Sequence, residues 1–349
     1  MPVSEDRSWK ISEPRQIDFE ETVNELHVRV VNGTVNVVGS DEPTTRVEIS
    51  RLEGPPLHVR CEDGKLVVAY EDLPWKGFLK WLDRKGWRRD VEVSVSVPAR
   101  ARLSVGVVGA SAVVSGVRGR TDLRGVSGDA TLVGLSGPVF TETVSGSVEA
   151  QRLSGGLRFH SVSGDLTFID GSGSPIKADS VSGAMILDLR SGAGEPSEIR
   201  LSSVSGELAI RLPGDADTEV DAKTTSGALS SAFDELKISG SWGDQHATGV
   251  LGAGRGTLSA VTLSGGLALL RRPVKGPGEG LGEEPGDEDG EGDGGRWARP
   301  GPGVPESSGD PGSPDGLDDP GGAGDLGEPP APRASDAHST TPATPAKDL

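Results

Sequence analysis

The chain has 349 residues, 53 Asp and Glu against 35 Lys and Arg, a formal charge of −18, and few aromatics: six Trp, one Tyr and six Phe. Such acidity argues against nucleic-acid binding, which needs a basic face to neutralise phosphates, and the single Cys61 leaves no disulfide framework or Cys-rich zinc site. Residues 1–21 are polar and acidic, and no run of about 18 apolar residues occurs, so the expectation is a cytoplasmic protein.

Residues 1–15 are expected to be a flexible N-terminus, followed by a less regular β region over 16–106. Apolar residues alternate there at Leu26/Val28/Val30, Val47/Ile49, Leu57/Val59 and Val91/Val93/Val95/Val97, the period of a half-buried strand. Asn32-Gly33 and Asp63-Gly64 are tight-turn dipeptides. Within this region the stretch 72–89 differs. From 75 to 89 it carries six bases against one acid and three of the six tryptophans. Trp75, Phe78, Leu79 and Leu82 fall on one face of a short helix, with Asp72 to cap its start and Gly86 to end it.

From 107 to 272 the chain repeats. Val-Ser-Gly or a close variant begins at Val117, Val126, Leu135, Val144, Leu153 and Val162, nine residues apart, and again at Val181, Val204, Thr225 and Leu263. Counting the first residue as zero, glycine stands at +2: Gly119, Gly128, Gly137, Gly146, Gly155, Gly164, Gly183, Gly206, Gly227 and Gly265. Offsets +4 and +6 are mostly apolar, as at Leu166/Phe168 and Leu208/Ile210, and odd offsets are polar. Positions 0, +4 and +6 are therefore expected to face inward, with a corner at the glycine, where φ > 0 or close backbone approach excludes a side chain. One unit is too small to fold alone, so units must stack. The full Val-Ser-Gly form recurs at 126, 144, 162, 181, 204 and 225, so a coil is two units, of 18, 18, 19, 23 and 21 residues. Val126, Val144, Val162, Val181 and Val204 should then form one interior column. The template also fits Val31/Gly33/Val35/Val37 and Val107/Gly109/Ser111/Val113, and in part Gly64/Leu66/Val68.

The fold expected is all-β: a β-solenoid or β-helix-like stack of about nine-residue strand-turn units, with one short amphipathic helix. From 274 to 349 there are 18 Gly and 13 Pro, and 17 acids against five bases. Such a segment buries too little to offset its ordering entropy, so 273–349 is expected to be a disordered tail.

Repeated Val-Ser-Gly-Asp-type units behind a segment such as Leu26-His27-Val28-Arg29-Val30-Val31-Asn32-Gly33 resemble the bacterial putative-adhesin family of β-strand-repeat proteins, similar to the toast-rack domains of cell-envelope stress systems. The resemblance covers roughly residues 20–272. High Gly, Ala and Pro usage is also similar to that of actinobacterial proteins. The resemblance implies a β-solenoid-like fold, no established activity, and no catalytic residues or cofactor.

The candidate interaction surface is Trp75, Lys76, Phe78, Lys80, Trp81, Arg84, Lys85, Trp87, Arg88 and Arg89. A basic aromatic helix suits an anionic membrane or an acidic partner; its alternative role is a helix that caps an open sheet edge. His27, His58, His160, His246 and His338 show no metal-ligand spacing. Cys61 alternates inward with Leu57 and Val59, as a core thiol does. Asp129, Asp165 and Glu207 at +3 form an interrupted column without the calcium-roll pattern. The Gly-rich repeats open no helix, which removes a phosphate loop. The expected function is a non-enzymatic binding or scaffold module with a protein or anionic-membrane partner and self-association through the solenoid ends. The alternative is a membrane-peripheral component of an envelope-stress system, docking through the basic stretch. A carbohydrate-active β-helix enzyme is a third class, for which no motif speaks.

Overall fold

A computed structural model describes residues 7–70, 89–191, 196–241 and 243–273. The basic stretch except Arg89, and the tail from 274, lie outside the described residues, so the expected helix does too. Among the described residues there are strands and no helix.

The first eight strands are β1 (Arg7–Ile11), β2 (Arg15–Phe19), β3 (Glu25–Val30), β4 (Asn32–Ser40), β5 (Thr45–Glu53), β6 (Leu57–Glu62), β7 (Lys65–Ala69) and β8 (Asp90–Pro98). Regular coils follow with β9 (Arg102–Val107), β10 (Ser111–Ser115), β11 (Thr121–Gly125), β12 (Ala130–Val133), β13 (Val139–Thr143) and β14 (Val148–Gln151). They continue through β15 (Leu157–Ser161), β16 (Leu166–Gly171), β17 (Ile176–Ser180), β18 (Met185–Leu189), β19 (Glu198–Ser203) and β20 (Leu208–Leu212). The end is built from β21 (Thr218–Thr224), β22 (Leu229–Ser231), β23 (Lys237–Ser241), β24 (Asp244–Leu251), β25 (Gly256–Thr262) and β26 (Leu267–Arg271).

From β8 to β23 successive strands go to alternate sheets. The 14-stranded sheet runs β1-β6-β7-β3-β9-β11-β13-β15-β17-β19-β25-β21-β24-β23, and the 12-stranded sheet β2-β5-β8-β4-β10-β12-β14-β16-β18-β20-β26-β22. The protein is thus an all-β solenoid-like stack of two long sheets. In the coils the ladders are parallel and in register, Thr121↔Val139↔Leu157 in one sheet and Ala130↔Val148↔Leu166 in the other. Inward positions fuse into one apolar core, from Leu26 and Val35 through Phe159 and Phe168 to Leu258 and Leu269.

Several expectations are corrected. From Arg7 on, the stretch expected to be flexible carries strands: β1 pairs antiparallel with β6 and β2 with β5, and Trp9 meets Phe19 edge-on at 5.4 Å between centroids. These pairings cover the first parallel strands with antiparallel ones, which protects a sheet end. Asp63-Gly64 does make the β6–β7 hairpin, with φ of 50° and 73°. Asn32-Gly33 instead turns the chain from one sheet into the other, because β3 and β4 lie in different sheets. At 107–113 the template slips by one residue: Ala112 and Val114 pair with Ala130 and Leu132 and are buried, whereas Ser111 and Val113 face out. A one-residue slip exchanges the two faces. The last coils are also reordered. β25 and β26 insert between the coil β19–β20 and the coil β21–β22, so Leu263, not Thr225, follows Val204 in space.

Most consequential, the valine column is not interior. Val126 is buried and Val144 half-buried, but Val162, Val181, Val204 and Leu263 are 50%, 47%, 46% and 53% exposed.

Candidate interaction surface

The exposed column arises from how the first corner, from the 14-stranded to the 12-stranded sheet, is built. The residue before position zero points inward and is small and polar: Thr143, Ser161, Ser180, Ser203, Thr262 and Thr224. Its hydroxyl oxygen accepts the N–H of the corner glycine, at 2.7 Å from Gly164 to Ser161 and 2.8 Å from Gly206 to Ser203. The buried polar atom and the corner N–H thus satisfy each other. With that residue inside, strand alternation turns the next residue, the valine, to solvent.

The serine at +1 adds a second ladder. Its N–H and its hydroxyl both donate to the valine carbonyl of the coil before, as from Ser163 to Val144 at 2.8 and 3.2 Å. Ser205 to Val181 and Ser264 to Val204 repeat the pattern. Glycine at +2 is then required by crowding, because none of these ten glycines has positive φ. A Cβ on Gly146 would lie 2.1 Å from the Gly128 carbonyl oxygen.

Position zero at the second corner behaves oppositely. Val117, Leu135 and Leu153 are buried. The preceding residues there, Gly116, Gly134 and Arg152, take left-handed φ of 68°, 64° and 51°, which resets the alternation.

The first corner therefore presents a row of aliphatic side chains about 4.8 Å apart. Serines and glycines flank it on one side. Around the exposed rungs the adjoining rows hold His160, Asp179, Ser202 and Val261 on the side of the 14-stranded sheet, and Asp165, Ala184, Glu207 and Gly266 on the other. Neither row carries Lys or Arg. The Asp165 carboxylate accepts Ala184 N–H at 2.8 Å and Asp129 accepts Ser147 N–H at 3.0 Å, so these two +3 acids brace the next coil.

Charges on the outer face of the 14-stranded sheet pair across strands: Arg124 with Glu142 at 3.0 Å, Lys177 with Glu198 at 3.1 Å, His160 with Asp179 at 3.2 Å and His246 with Asp221 at 2.7 Å. Phe140 lies between the guanidinium groups of Arg120 and Arg158, 4.0 and 5.5 Å from its centroid. At the second corner a trough of about 490 Å³ is lined by Ser172, Arg190, Ser191, Asp215, Asp217 and Arg255, among others. Ser191 Oγ donates to Asp215 at 2.6 Å, and among the described residues no His, Cys or Lys lines the trough. Backbone and side-chain hydrogen bonds from Arg255 hold the Asp217 carboxyl below the usual carboxylate range.

Of the surface expected from the sequence, Arg89 alone is described. It stacks 5.0 Å from the centroid of the Tyr70 ring. Tyr70 is buried, its phenol pushed up to about 12 by burial, against the pull of Arg89. His27 and His160 sit on outer faces, and Cys61 is buried. Among the described residues no group of three His, Cys, Asp or Glu could hold a metal ion. The sequence missed the exposed aliphatic row; its signal was Ser or Thr before Val-Ser-Gly.

The family model described as Toastrack DUF4097 matches residues 23–269. No match was found among curated proteins. Solved structures with a similar chain path include a putative adhesin from Bacteroides fragilis NCTC 9343, at TM-score 0.40 and 11% identity, covering 78% of this chain and 98% of that one. A putative lipid binding protein from Parabacteroides distasonis ATCC 8503 has TM-score 0.37 and 11% identity, covering 75% and 97%. A putative cell adhesion protein from Clostridium sporogenes ATCC 15579 has TM-score 0.29 and 11% identity, covering 74% and 100%. At such scores the likeness bears on neither ligand nor partner.

Proposed function

For a chain that belongs to the Toastrack DUF4097 family, we propose a non-enzymatic role: a rigid β scaffold that binds another protein along its exposed aliphatic edge. The observation that carries this reading is the line of Val162, Val181, Val204 and Leu263, each about half exposed on consecutive coils. Packing between the sheets does not need them there, since the core is filled by other rows. A run of exposed aliphatics without Lys or Arg beside it marks a contact surface.

Its strength can be bounded. Fully burying one such side chain contributes about 1.5–3 kcal/mol, so covering four that are half exposed gives roughly 3–6 kcal/mol. Micromolar binding needs about 8 kcal/mol, so the partner must add polar contacts or bind at several rungs. The serine hydroxyls beside the row, whose protons go to the coil before, keep lone pairs for such contacts.

A photo-crosslinking residue placed at Val204 and, as control, at Ser94 tests this in the native host. Adducts at 204, absent at 94 and lost when Val181 is changed to Asp, are expected. Equal labelling at both positions would refute the edge as the contact.

A second reading, a membrane-peripheral role, is favoured by the +5 charge of 75–89 in an otherwise acidic chain. Each Lys or Arg near an anionic leaflet contributes about 1 kcal/mol. Sedimentation with phosphatidylglycerol vesicles at low and at roughly 0.5 M salt separates it from the first reading, because screening releases a charge-held segment.

A further inference from the structure

The two sheets share their coils but not the chemistry of their outer faces. In each strand two outward residues flank a central inward one, as Asp122 and Arg124 flank Leu123, and Thr131 and Val133 flank Leu132. Along the eight strands from β3 to β25 of the 14-stranded sheet, eight of these 16 residues are Asp, Glu, Lys or Arg, and Val261 alone is aliphatic. Along the eight strands from β4 to β26 of the 12-stranded sheet the balance reverses. Eight of the 16 are aliphatic, and only Glu149, Asp188 and Arg211 are charged. Strand propensity does not explain the contrast, because both sets stand in ladders of the same coils.

Four of those aliphatics are large and open to water: Val38, Ile169, Ile186 and Leu270 are 42%, 36%, 49% and 43% exposed. The few charges are tied within the face. Gln151 Nε2 donates to Glu149 at 2.7 Å, and Arg211 Nε donates to Asp188 at 2.7 Å. Among the described residues no strand lies over this face. A continuous apolar surface of this kind marks a contact.

Its charge and area say what the occupant is. One base against two acids leaves the face at −1, where the whole chain carries −18. Such a face has no field to draw a strongly charged partner, and it is where two acidic copies meet with least repulsion. A sheet packs well on another sheet with side chains interdigitating. The same face of a second copy supplies a sheet of matching length and polarity, and a two-fold axis in the plane of contact makes the pairing self-complementary. Each outward residue covers about 4.8 by 6.6 Å, so 16 of them make roughly 500 Å² per copy and about 1,000 Å² in all. Specific interfaces begin near that size, which suits a reversible dimer.

We propose that the outer face of the 12-stranded sheet, from β4 to β26, is a homodimer interface in which two copies pack sheet on sheet and cover Ile169, Ile186 and Leu270. The first-corner row of Val162 to Leu263 lies outside this face, so the dimer and the contact with another protein use separate surfaces. The charged face of the 14-stranded sheet stays in water.

Sedimentation equilibrium of the full chain tests this. The parent should pass from monomer to dimer between about 1 and 300 μM, the range suited to so small an interface. Ile186→Lys changes a half-exposed side chain that the fold does not need, and should weaken the dimer about tenfold or more without lowering the Tm of dilute protein. Leu270→Lys should do the same, and Val204→Asp should leave the dimer unchanged. A parent that stays monomeric throughout, or a dimer that both lysine variants leave intact, would overturn the proposal. So would a dimer lost in Val204→Asp alone, which would place self-association on the corner row. A monomeric parent that sediments with neutral phosphatidylcholine vesicles would overturn it in favour of a lipid surface.

Discussion

Replacing Gly164 with alanine tests why the corner glycines are there. The added Cβ would lie 2.1 Å from the Gly146 carbonyl oxygen, 2.9 Å from its carbon and 3.0 Å from Ser161 Oγ. Backbone is the first obstacle, so the two coils must part by about 1 Å, as in an overpacked core, which costs roughly 1–3 kcal/mol. Two hydrogen bonds between the coils stretch with them, Ser163 N–H to Val144 at 2.8 Å and Ser163 hydroxyl to Val144 at 3.2 Å, and the Cβ also crowds Ser161 Oγ, which accepts Gly164 N–H at 2.7 Å. At about 0.5–1.5 kcal/mol each, losing two or three gives roughly 1–4 kcal/mol. A loss of about 2–4 kcal/mol is expected, or roughly 5–15 °C in Tm for a body of this size. Gly134→Ala is the control. It has φ of 64° but nothing within 4 Å of its Cβ, so only the left-handed penalty of about 1 kcal/mol applies. Urea unfolding of both variants with equal slopes gives the comparison. A control that destabilises as much as Gly164→Ala would mean that conformation, not crowding, selects glycine at the corner.

The serine ladders make separable predictions. Ser180→Ala leaves the buried Gly183 N–H without its acceptor at 3.0 Å and should lose about 1–3 kcal/mol. Ser182→Ala should lose about 0.5 kcal/mol or less, because its N–H still reaches Val162 at 2.9 Å; equal losses in urea unfolding would contradict this division. Asp188, nearly buried, is held below the usual carboxylate range by its hydrogen bonds from Arg211, with Arg272 adding to the effect. A depressed folded pKa gives stability that is complete above about pH 5 and lost as pH falls below the ordinary Asp value of about 3.9. Asp188→Asn should therefore flatten the acid limb of the stability curve below about pH 4; a curve parallel to the parent's would remove Asp188 from it.

The stack was legible because period-two alternation at +4 and +6 survives every coil, and because glycine recurs wherever two backbones touch. Leu166/Phe168 and Leu208/Ile210 are inward as expected. The valine column was misread because alternation was carried across both corners as though they were alike. Thr143, Ser161 and Ser180 look solvent-seeking by residue type, yet each is placed inward by its bond to a glycine N–H. The exchange of order between Val204, Leu263 and Thr225 was hidden for another reason. Any coil with the right period can pair with β19, and only the β23–β24 hairpin, which pairs β24 against β21, uses up that strand's far edge.

The asymmetry between the corners is itself open to test. At the second corner Gly116, Gly134, Arg152 and Asp170 occupy one column, with φ of 68°, 64°, 51° and 52°. One left-handed residue per coil turns the chain so that Val117, Leu135 and Leu153 enter the core, where strand alternation alone would send them out. Two coils use glycine for this and two do not. Asp170 has an added reason to stay, since Arg272 and Arg190 bond or pair with it at 3.2 and 3.7 Å. Arg152 is exposed and bears the left-handed penalty of about 1–2 kcal/mol. Glycine would relieve that penalty but add about 0.5–1 kcal/mol of unfolded-chain entropy. Arg152→Gly should thus gain about 0.5 kcal/mol, and Arg152→Val, β-branched at the same φ, should lose at least 1 kcal/mol. Urea midpoints of the two variants would then fall on opposite sides of the parent. Coincident midpoints would show that backbone handedness at 152 does not set the direction of Leu153, and the account of the two corners would fail with it.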